Sequence, residues 1–178
     1  MNVNYLPSTD ERLDILRNAI LKEGAISVSA VAKESKASKG LVSRYLALLE
    51  RQGILSRKGT KFLVKKGNRT RALRLFLALT DFNEGLFRKY GFVESAGLYG
   101  SSAKGENTEN SDMDLWVKVK NADQEQLALM NSQIKKKFPH ANILVLTKDK
   151  IERLKKDNPV FYYSLYFGSI IVYGETGV

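Results

Sequence analysis

The chain has 178 residues, is 43% hydrophobic, and carries 29 Lys and Arg against 19 Asp and Glu for a net charge of +10. That length suits one domain or two small ones with packed cores. It contains no cysteine and one histidine, so disulfides, thiolate metal sites and cysteine nucleophiles are excluded. His140 follows Pro139 and reads as a solvated loop residue, which leaves neither a zinc site nor a Ser-His-Asp triad. No apolar stretch is long enough to span a bilayer; the longest, Ala72 to Leu79, is broken by Arg74. The opening MNVNYLPSTDER lacks the basic region and apolar core of a signal peptide, so no membrane association and a cytoplasmic location are expected.

In chain order, Asp10 to Glu23 carries Leu13, Leu16 and Ile20 at helical spacing, with Thr9 or Asp10 as cap and Gly24 as stop. Ser29 to Ser35 reads as a short helix. After a turn at Lys36-Ala37, Ser38 caps a longer helix that runs to Gln52 and is closed by Gly53. Its inward stripe is Val42, Tyr45, Leu46 and Leu49. Its outward face shows Lys39, Ser43, Arg44, Ala47 and Arg51. Small residues there would allow close approach to a duplex, and basic ones would reach phosphates or guanines. A hairpin over Leu55 to Val64 follows, with Lys58-Gly59-Thr60 at its tip and Arg57 and Lys61 beside it.

The segment SKGLVSRYLALLERQGIL within residues 8–66 resembles winged helix-turn-helix transcription regulators. The resemblance implies a recognition helix and wing that contact double-stranded DNA through Lys39, Ser43, Arg44, Arg51, Arg57, Lys58 and Lys61, and it makes a homodimer an expectation. Residues 1–68 hold 13 Lys and Arg against 6 Asp and Glu, so most of the positive excess lies there. Some winged helices join only protein partners, and that alternative stays open.

Lys65 to Asn68 is a polar break. A helix from Arg69 to about Thr80 follows and reads as a connector, since Leu73, Leu75, Phe76, Leu77 and Leu79 cover more than one of its faces. A second helix, Asp81 to Tyr90, leads to a strand over Val93 to Tyr99. Then comes GSSAKGENTENSDMDLWV, from Gly100 to Val117. Asp112 to Val119 is β-prone, and side chains two apart on a strand share a face about 7 Å apart along the chain. Asp112 and Asp114 can therefore turn onto one divalent cation, or onto two neighbouring ones. Mg²⁺ is held by one or two carboxylates plus phosphate oxygens and water, so the pair suits a Mg-nucleotide. Gly100 would let the backbone approach a phosphate, Ser101 could donate to it, and Lys104 adds positive charge. The polar loop from Ala103 to Ser111 reads as substrate-binding.

This pattern of Gly-Ser, then Gly105, then Ser111-Asp112-x-Asp114-Leu115 resembles the signature of the minimal nucleotidyltransferases of the DNA polymerase beta superfamily, over roughly residues 73–175. The resemblance implies an NTP, ATP foremost, held by Gly100, Ser101, Lys104 and Ser111. It implies Mg²⁺ or Mn²⁺ on Asp112 and Asp114, and transfer of a nucleoside monophosphate to an acceptor. A third carboxylate on a later strand belongs to the pattern, but the strand Ala141 to Thr147 carries Asn142 there. Asparagine cannot take a proton, so the chain either works with Asn142, recruits Asp149, or has lost activity.

The remaining elements are a helix over Ala122 to Phe138 with Leu127, Leu129 and Met130 inward, and a short helix over Lys150 to Lys156. A helix over Asn158 to Phe167 follows, its aromatics Phe161, Tyr162, Tyr163, Tyr166 and Phe167 read as core, and a last strand spans Ser169 to Tyr173. Lys135 to Lys137 sit where the helix dipole favours positive charge. Trp116 shares the strand face of the aspartates and would pack there or flank the nucleotide.

The expected fold class is α+β: a winged helix-turn-helix over residues 1–68, connecting helices over 69–92, and a mixed-sheet nucleotidyltransferase domain with flanking helices over 93–178. Three functions stay open. One is a metal-dependent nucleotidyltransferase with a DNA-binding winged helix; another is a transcription regulator whose degenerate transferase domain binds only nucleotide. The third is an antitoxin-like protein paired with a small helical toxin-like partner.

Overall fold

Side-chain oxygens at helix starts do much to fix where the chain turns. In the computed structural model, which describes residues 8–82, 85–175 and 178, Thr9, Ser27, Ser38 and Thr147 are extended. Each accepts the backbone N–H of the residue three positions on. Asp123 does the same in a reciprocal capping box with Gln126. Each such cap contributes about 1 kcal/mol and sets a helix boundary. The first seven residues of the expected first domain, Asn83 and Glu84 of the expected helix Asp81 to Tyr90, and Thr176 and Gly177 near the chain's end lie outside the described residues.

The structure divides into two compact units. One takes in the chain up to Leu77 with Thr108–Asn110, the other Ala78–Asn107 with Ser111–Val178. The first contains α1 (Asp10–Ile20), β1 (Ala25–Ile26), α2 (Val28–Ser35), α3 (Lys39–Arg51), β2 (Leu55–Lys58), β3 (Lys61–Val64) and most of α4 (Asn68–Thr80). Its antiparallel sheet has the order β1-β3-β2. Val42, Tyr45, Leu46 and Leu49 form the buried stripe of α3, as their spacing predicts. They join Ile15, Leu16, Ile20, Ile54 and Phe62 in one core. Gly53 follows α3 at φ +73°, in the left-handed region that lets the chain reverse into β2.

The second unit holds α5 (Gly85–Arg88), β4 (Val93–Leu98), α6 (Gly100–Lys104), β5 (Met113–Val119), α7 (Gln124–Lys137), β6 (Ala141–Leu146), α8 (Lys148–Asp157), α9 (Pro159–Gly168) and β7 (Ile170–Tyr173). Its sheet is mixed, in the order β6-β5-β4-β7, with β5 and β6 parallel and the other pairs antiparallel. Strand alternation sends Leu115 and Val117 to one face, where they pack with Ala96, Leu98, Met130 and Ile134. It sends Trp116 to the other, against Leu146, Ile151, Tyr162 and Leu165. The tryptophan is fully buried, so its role is packing and it does not flank a nucleotide.

Two expectations about helix faces are corrected. Leu129 is 56% exposed, whereas Met130 and Ile134 of α7 are buried and Leu127 packs partly buried beside them, so the inward stripe runs through positions three and four apart. On α9, Tyr162 and Leu165 are buried and Phe161 is partly so, whereas Tyr163, Tyr166 and Phe167 point outward. A helix of ten residues presents one face to the sheet, and its aromatics outnumber the positions on that face.

Gly97 lies opposite Trp116 in the β4–β5 register, and a Cβ there would overlap the indole ring. Gly97→Val is therefore expected to lower the unfolding free energy of this unit by about 2 kcal/mol, the usual scale of overpacking. Urea unfolding followed by the fluorescence of Trp116, the chain's one tryptophan, reads this directly. An unchanged midpoint would mean that the indole does not rest on Gly97.

Candidate functional site

The two acids stand at the start of β5. Asp114 is the second residue of β5 and Asp112 immediately precedes the strand, so both project to the face that carries Trp116 farther along. Leu115 to Val117 are buried, whereas Asp114 is half-buried and Asp112 exposed. Parallel pairing sets Asn142 of β6 beside Asp114. The Asn142 amide Nδ2 donates to Asp112 Oδ2 and to Asp114 Oδ1, each at 3.4 Å. At those distances both contacts are weak, but they fix the location: Asn142 lies at a third corner beside the carboxylate pair.

Gly100 supports the second acid from below. Its φ is +64°, and a Cβ at this position would overlap Asp114 Oδ2. Both the backbone conformation and the close approach require glycine here. The Gly-Ser segment is a short helix, α6, where an open turn was expected. It is closed by Gly105 at φ +64°, whose N–H bonds back to Ser101 and Ser102. Ala103 and Lys104, expected in the loop, belong to this helix. Ser101 is half-buried at its start, Lys104 is exposed at its end, and Ser111 is half-buried one residue before Asp112.

Tyr99, immediately before α6, was not anticipated from the sequence. Its N–H bonds to the Asp114 carbonyl at 3.0 Å, and its ring meets Phe161 edge-on with centroids 6.3 Å apart. Burial, with the negative charge of Asp114 added, pushes its phenol above the ordinary tyrosine range. Tyr99 also lines a cavity of about 460 Å³ with Asn142 and with Asn131, Ser132 and Lys135 of α7. Only contact across strands and helices brings these residues together, so no local motif announces them.

Asp149 does not join the pair. It follows β6, where Lys118 of β5 pairs with Leu146, and Asp114 and Asn142 lie at the opposite end of the same two strands. It lines a different cavity, of about 770 Å³, with Lys118, Lys148 and Glu152. His140 is exposed, and its carbonyl accepts from Met113 N–H at 3.0 Å. Among the described residues no group of three His, Cys, Asp or Glu side chains stands ready for a metal. The donor set is thus the two carboxylates, since Asn142 turns its amide Nδ2 toward them, and Gly100 leaves Asp114 room. This fits a cation that shares its coordination with nucleotide phosphates better than one held by protein alone.

In the first unit, Lys39, Ser43, Arg44 and Arg51 are exposed along α3, with Lys58 and Lys61 exposed at the hairpin. Arg57 is otherwise engaged. It pairs with Glu50 at 3.1 Å and lies over the Phe62 ring at 4.5 Å from its centroid, so part of its role is to brace the hairpin against α3.

Residues 84–176 match the family described as polymerase beta, nucleotidyltransferase, and the chain belongs to that family. Its second unit, a mixed sheet with flanking helices, fits the fold. Among solved structures it is similar to a mutant of the toxin-antitoxin MntA-HpeT, at 15% identity over 53% of this chain and 76% of that one, with a TM-score of 0.39. It is also similar to a structure assigned as a nucleotidyltransferase from Sulfolobus solfataricus, at 18% identity over 60% of this chain and 87% of that one, with a TM-score of 0.36. No curated protein matches the chain. No helix of the described residues is long and apolar enough to cross a membrane.

Gly100→Ala is expected to cost about 1 kcal/mol of stability for the positive φ. It should also displace the Asp114 carboxylate and weaken Mg²⁺-dependent nucleotide binding by at least ~10-fold. Calorimetry on the folded variant, with a non-hydrolysable ATP analogue, checks this. Unaltered affinity would remove Asp114 from the binding site.

Proposed function

We propose that this protein is a metal-dependent nucleotidyltransferase that moves a nucleoside monophosphate from an NTP, ATP foremost, onto an acceptor. The observation that carries this is the pair Asp112 and Asp114 on one strand face, with glycine beneath and Asn142 at the third corner. Asp112 and Asp114 would hold Mg²⁺ or Mn²⁺. When bound, the cation neutralises phosphate charge and aligns the triphosphate for in-line displacement of pyrophosphate. The chain's own groups do the rest. Ser101 and Lys104 would donate to phosphate oxygens, and Ser111 would steady the loop that leads into Asp112. Asn142 tethers the two carboxylates by its amide and offers no proton acceptor.

The domain plan we propose takes residues 1–68 as a winged helix, 69–92 as connecting helices and 93–178 as the transferase, although the second compact unit already begins at Ala78 and the family match at residue 84. Three features support DNA as the partner of the first: caps at Ser27 and Ser38 that set the α2–α3 turn, exposed Lys39, Ser43, Arg44 and Arg51 on one face of α3, and Lys58 and Lys61 at the hairpin. In a second reading the transferase domain is a docking module for a protein partner. The neutral Asn142 and the outward Val160, Tyr163, Tyr166 and Phe167 of α9 favour that reading.

The readings separate on two measurements. Incubation with α-labelled NTPs, Mg²⁺ and host protein, RNA or small-molecule extracts should label one acceptor class. Asp112→Asn/Asp114→Asn should reduce labelling at least ~100-fold, the scale on which loss of charge-stabilising groups acts. No labelling above that variant would favour docking. For the first domain, Arg44→Ala should lower the slope of log affinity against log salt for duplex DNA by about 0.9, the share of one phosphate contact; an unchanged slope would count against DNA.

A further inference from the structure

Asn142 is shared by two places, the carboxylate pair and the cavity of about 460 Å³ beside it. Three consecutive residues of β6, Asn142, Ile143 and Leu144, line that cavity. Strand side chains alternate between faces, so a cavity touching three in a row lies along the strand's edge. β6 is the outer strand of its sheet. The opposite wall is α7, which contributes Asn131, Ser132 and Lys135, with Tyr99 at the end nearest the aspartates.

The chemistry of this lining is one-sided. It contains one cation, Lys135, and no carboxylate. Ser132 and Tyr99 can donate hydrogen bonds. Asn131 adds an amide to the lining, a group that both donates and accepts. A ligand with an anionic group and hydroxyls suits this lining.

The junction with the carboxylates adds a further restriction. The side chain next to both acids is an amide, which cannot accept a proton from an attacking hydroxyl. Asp149 is at the other end of the strands, and His140 is not part of the cavity lining. The cavity lining thus supplies no general base, which favours a nucleophile that arrives already ionised.

We propose that this cavity is the acceptor site, and that the acceptor is a phosphate monoester carried on a hydroxylated molecule, such as a sugar phosphate or the phosphorylated end of a polynucleotide. This rests on the transferase reading above. A phosphate monoester loses its second proton near pH 6 and is mostly dianionic at neutral pH. One of its ionised oxygens attacks the α-phosphorus and a new P–O–P bond forms. The bond from the α-phosphorus to its bridging oxygen breaks, and pyrophosphate leaves with the electron pair. No proton passes to the protein. Lys135 pairs with the acceptor phosphate, and the amide of Asn131 bonds a neighbouring hydroxyl.

The test uses the full chain with α-labelled ATP and Mg²⁺. The acceptors are ribose 5-phosphate, ribose, and one oligoribonucleotide with and without its 5′-phosphate. Label should enter only the phosphorylated acceptors, and which of the two is labelled names the source. Lys135→Glu, with Lys135→Gln as the milder variant, should raise the acceptor KM at least tenfold while leaving the KM for ATP unchanged. Asn142→Asp should turn preference toward hydroxyl acceptors. Equal labelling of unphosphorylated acceptors, or an acceptor KM indifferent to Lys135, would overturn the proposal. Calorimetric binding of ribose 5-phosphate and of the phosphorylated oligonucleotide is read separately. If nothing is transferred but either binds in a Lys135-dependent way, the transferase reading falls and the cavity assignment stands. If neither binds at millimolar concentration, the cavity assignment falls.

Discussion

Two carboxylates two residues apart on one strand face repel each other, and the second unit is organised around keeping them there. Like charges side by side weaken a strand unless something of opposite sign or a donor lies between them. The chain provides a donor, the Asn142 amide, delivered by the parallel pairing of β5 with β6. It also provides room, since Gly100 has no side chain to contest the place of Asp114. The strand is anchored farther along by Leu115, Trp116 and Val117, all fully buried. Apolar burial on both faces of β5 thus offsets the electrostatic cost concentrated at its first residues, which links the core directly to the site.

What was legible in the sequence is what depends on neighbours in sequence. Ser38, Gly53 and the stripe Val42, Tyr45, Leu46 and Leu49 defined α3 because caps and helical spacing are local. Asp112 and Asp114 were legible for the same reason, a period-two relation on one strand. Asn142 was reachable because β6 could be recognised as a strand and only its register remained to be found. The unread parts depend on tertiary contact or on brevity. α6 is five residues long, too short for any periodicity to distinguish it from a turn. The orientation of α9 was hidden by an excess of aromatics, and the distance of Asp149 from the pair emerges only from strand direction. The cavity of Tyr99, Asn131 and Lys135 joins three separate elements.

Charge and function divide along the chain. The first 68 residues carry most of the positive excess, much of it on exposed helix and hairpin positions, which is what the proposed DNA contact would use. The second unit uses few charges at fixed points: two acids beside an amide, and one lysine in a cavity without acids. A neutral third corner changes what that unit can do. On the proposed reading it would keep a place for a cation that arrives with phosphates while lacking a group that deprotonates a hydroxyl. The choice of acceptor would then pass from general-base chemistry to the ionisation state of the acceptor itself.

A cation site formed by Asp112 and Asp114 and completed by nucleotide is the central proposal here. Mn²⁺ binding followed by electron paramagnetic resonance, with and without a non-hydrolysable ATP analogue, tests it most directly. Mn²⁺ alone should bind weakly, at least ~10-fold more tightly when the analogue is present, and without that gain in Asp114→Asn. Mn²⁺ affinity that ignores the nucleotide, or a gain that survives Asp114→Asn, would contradict it.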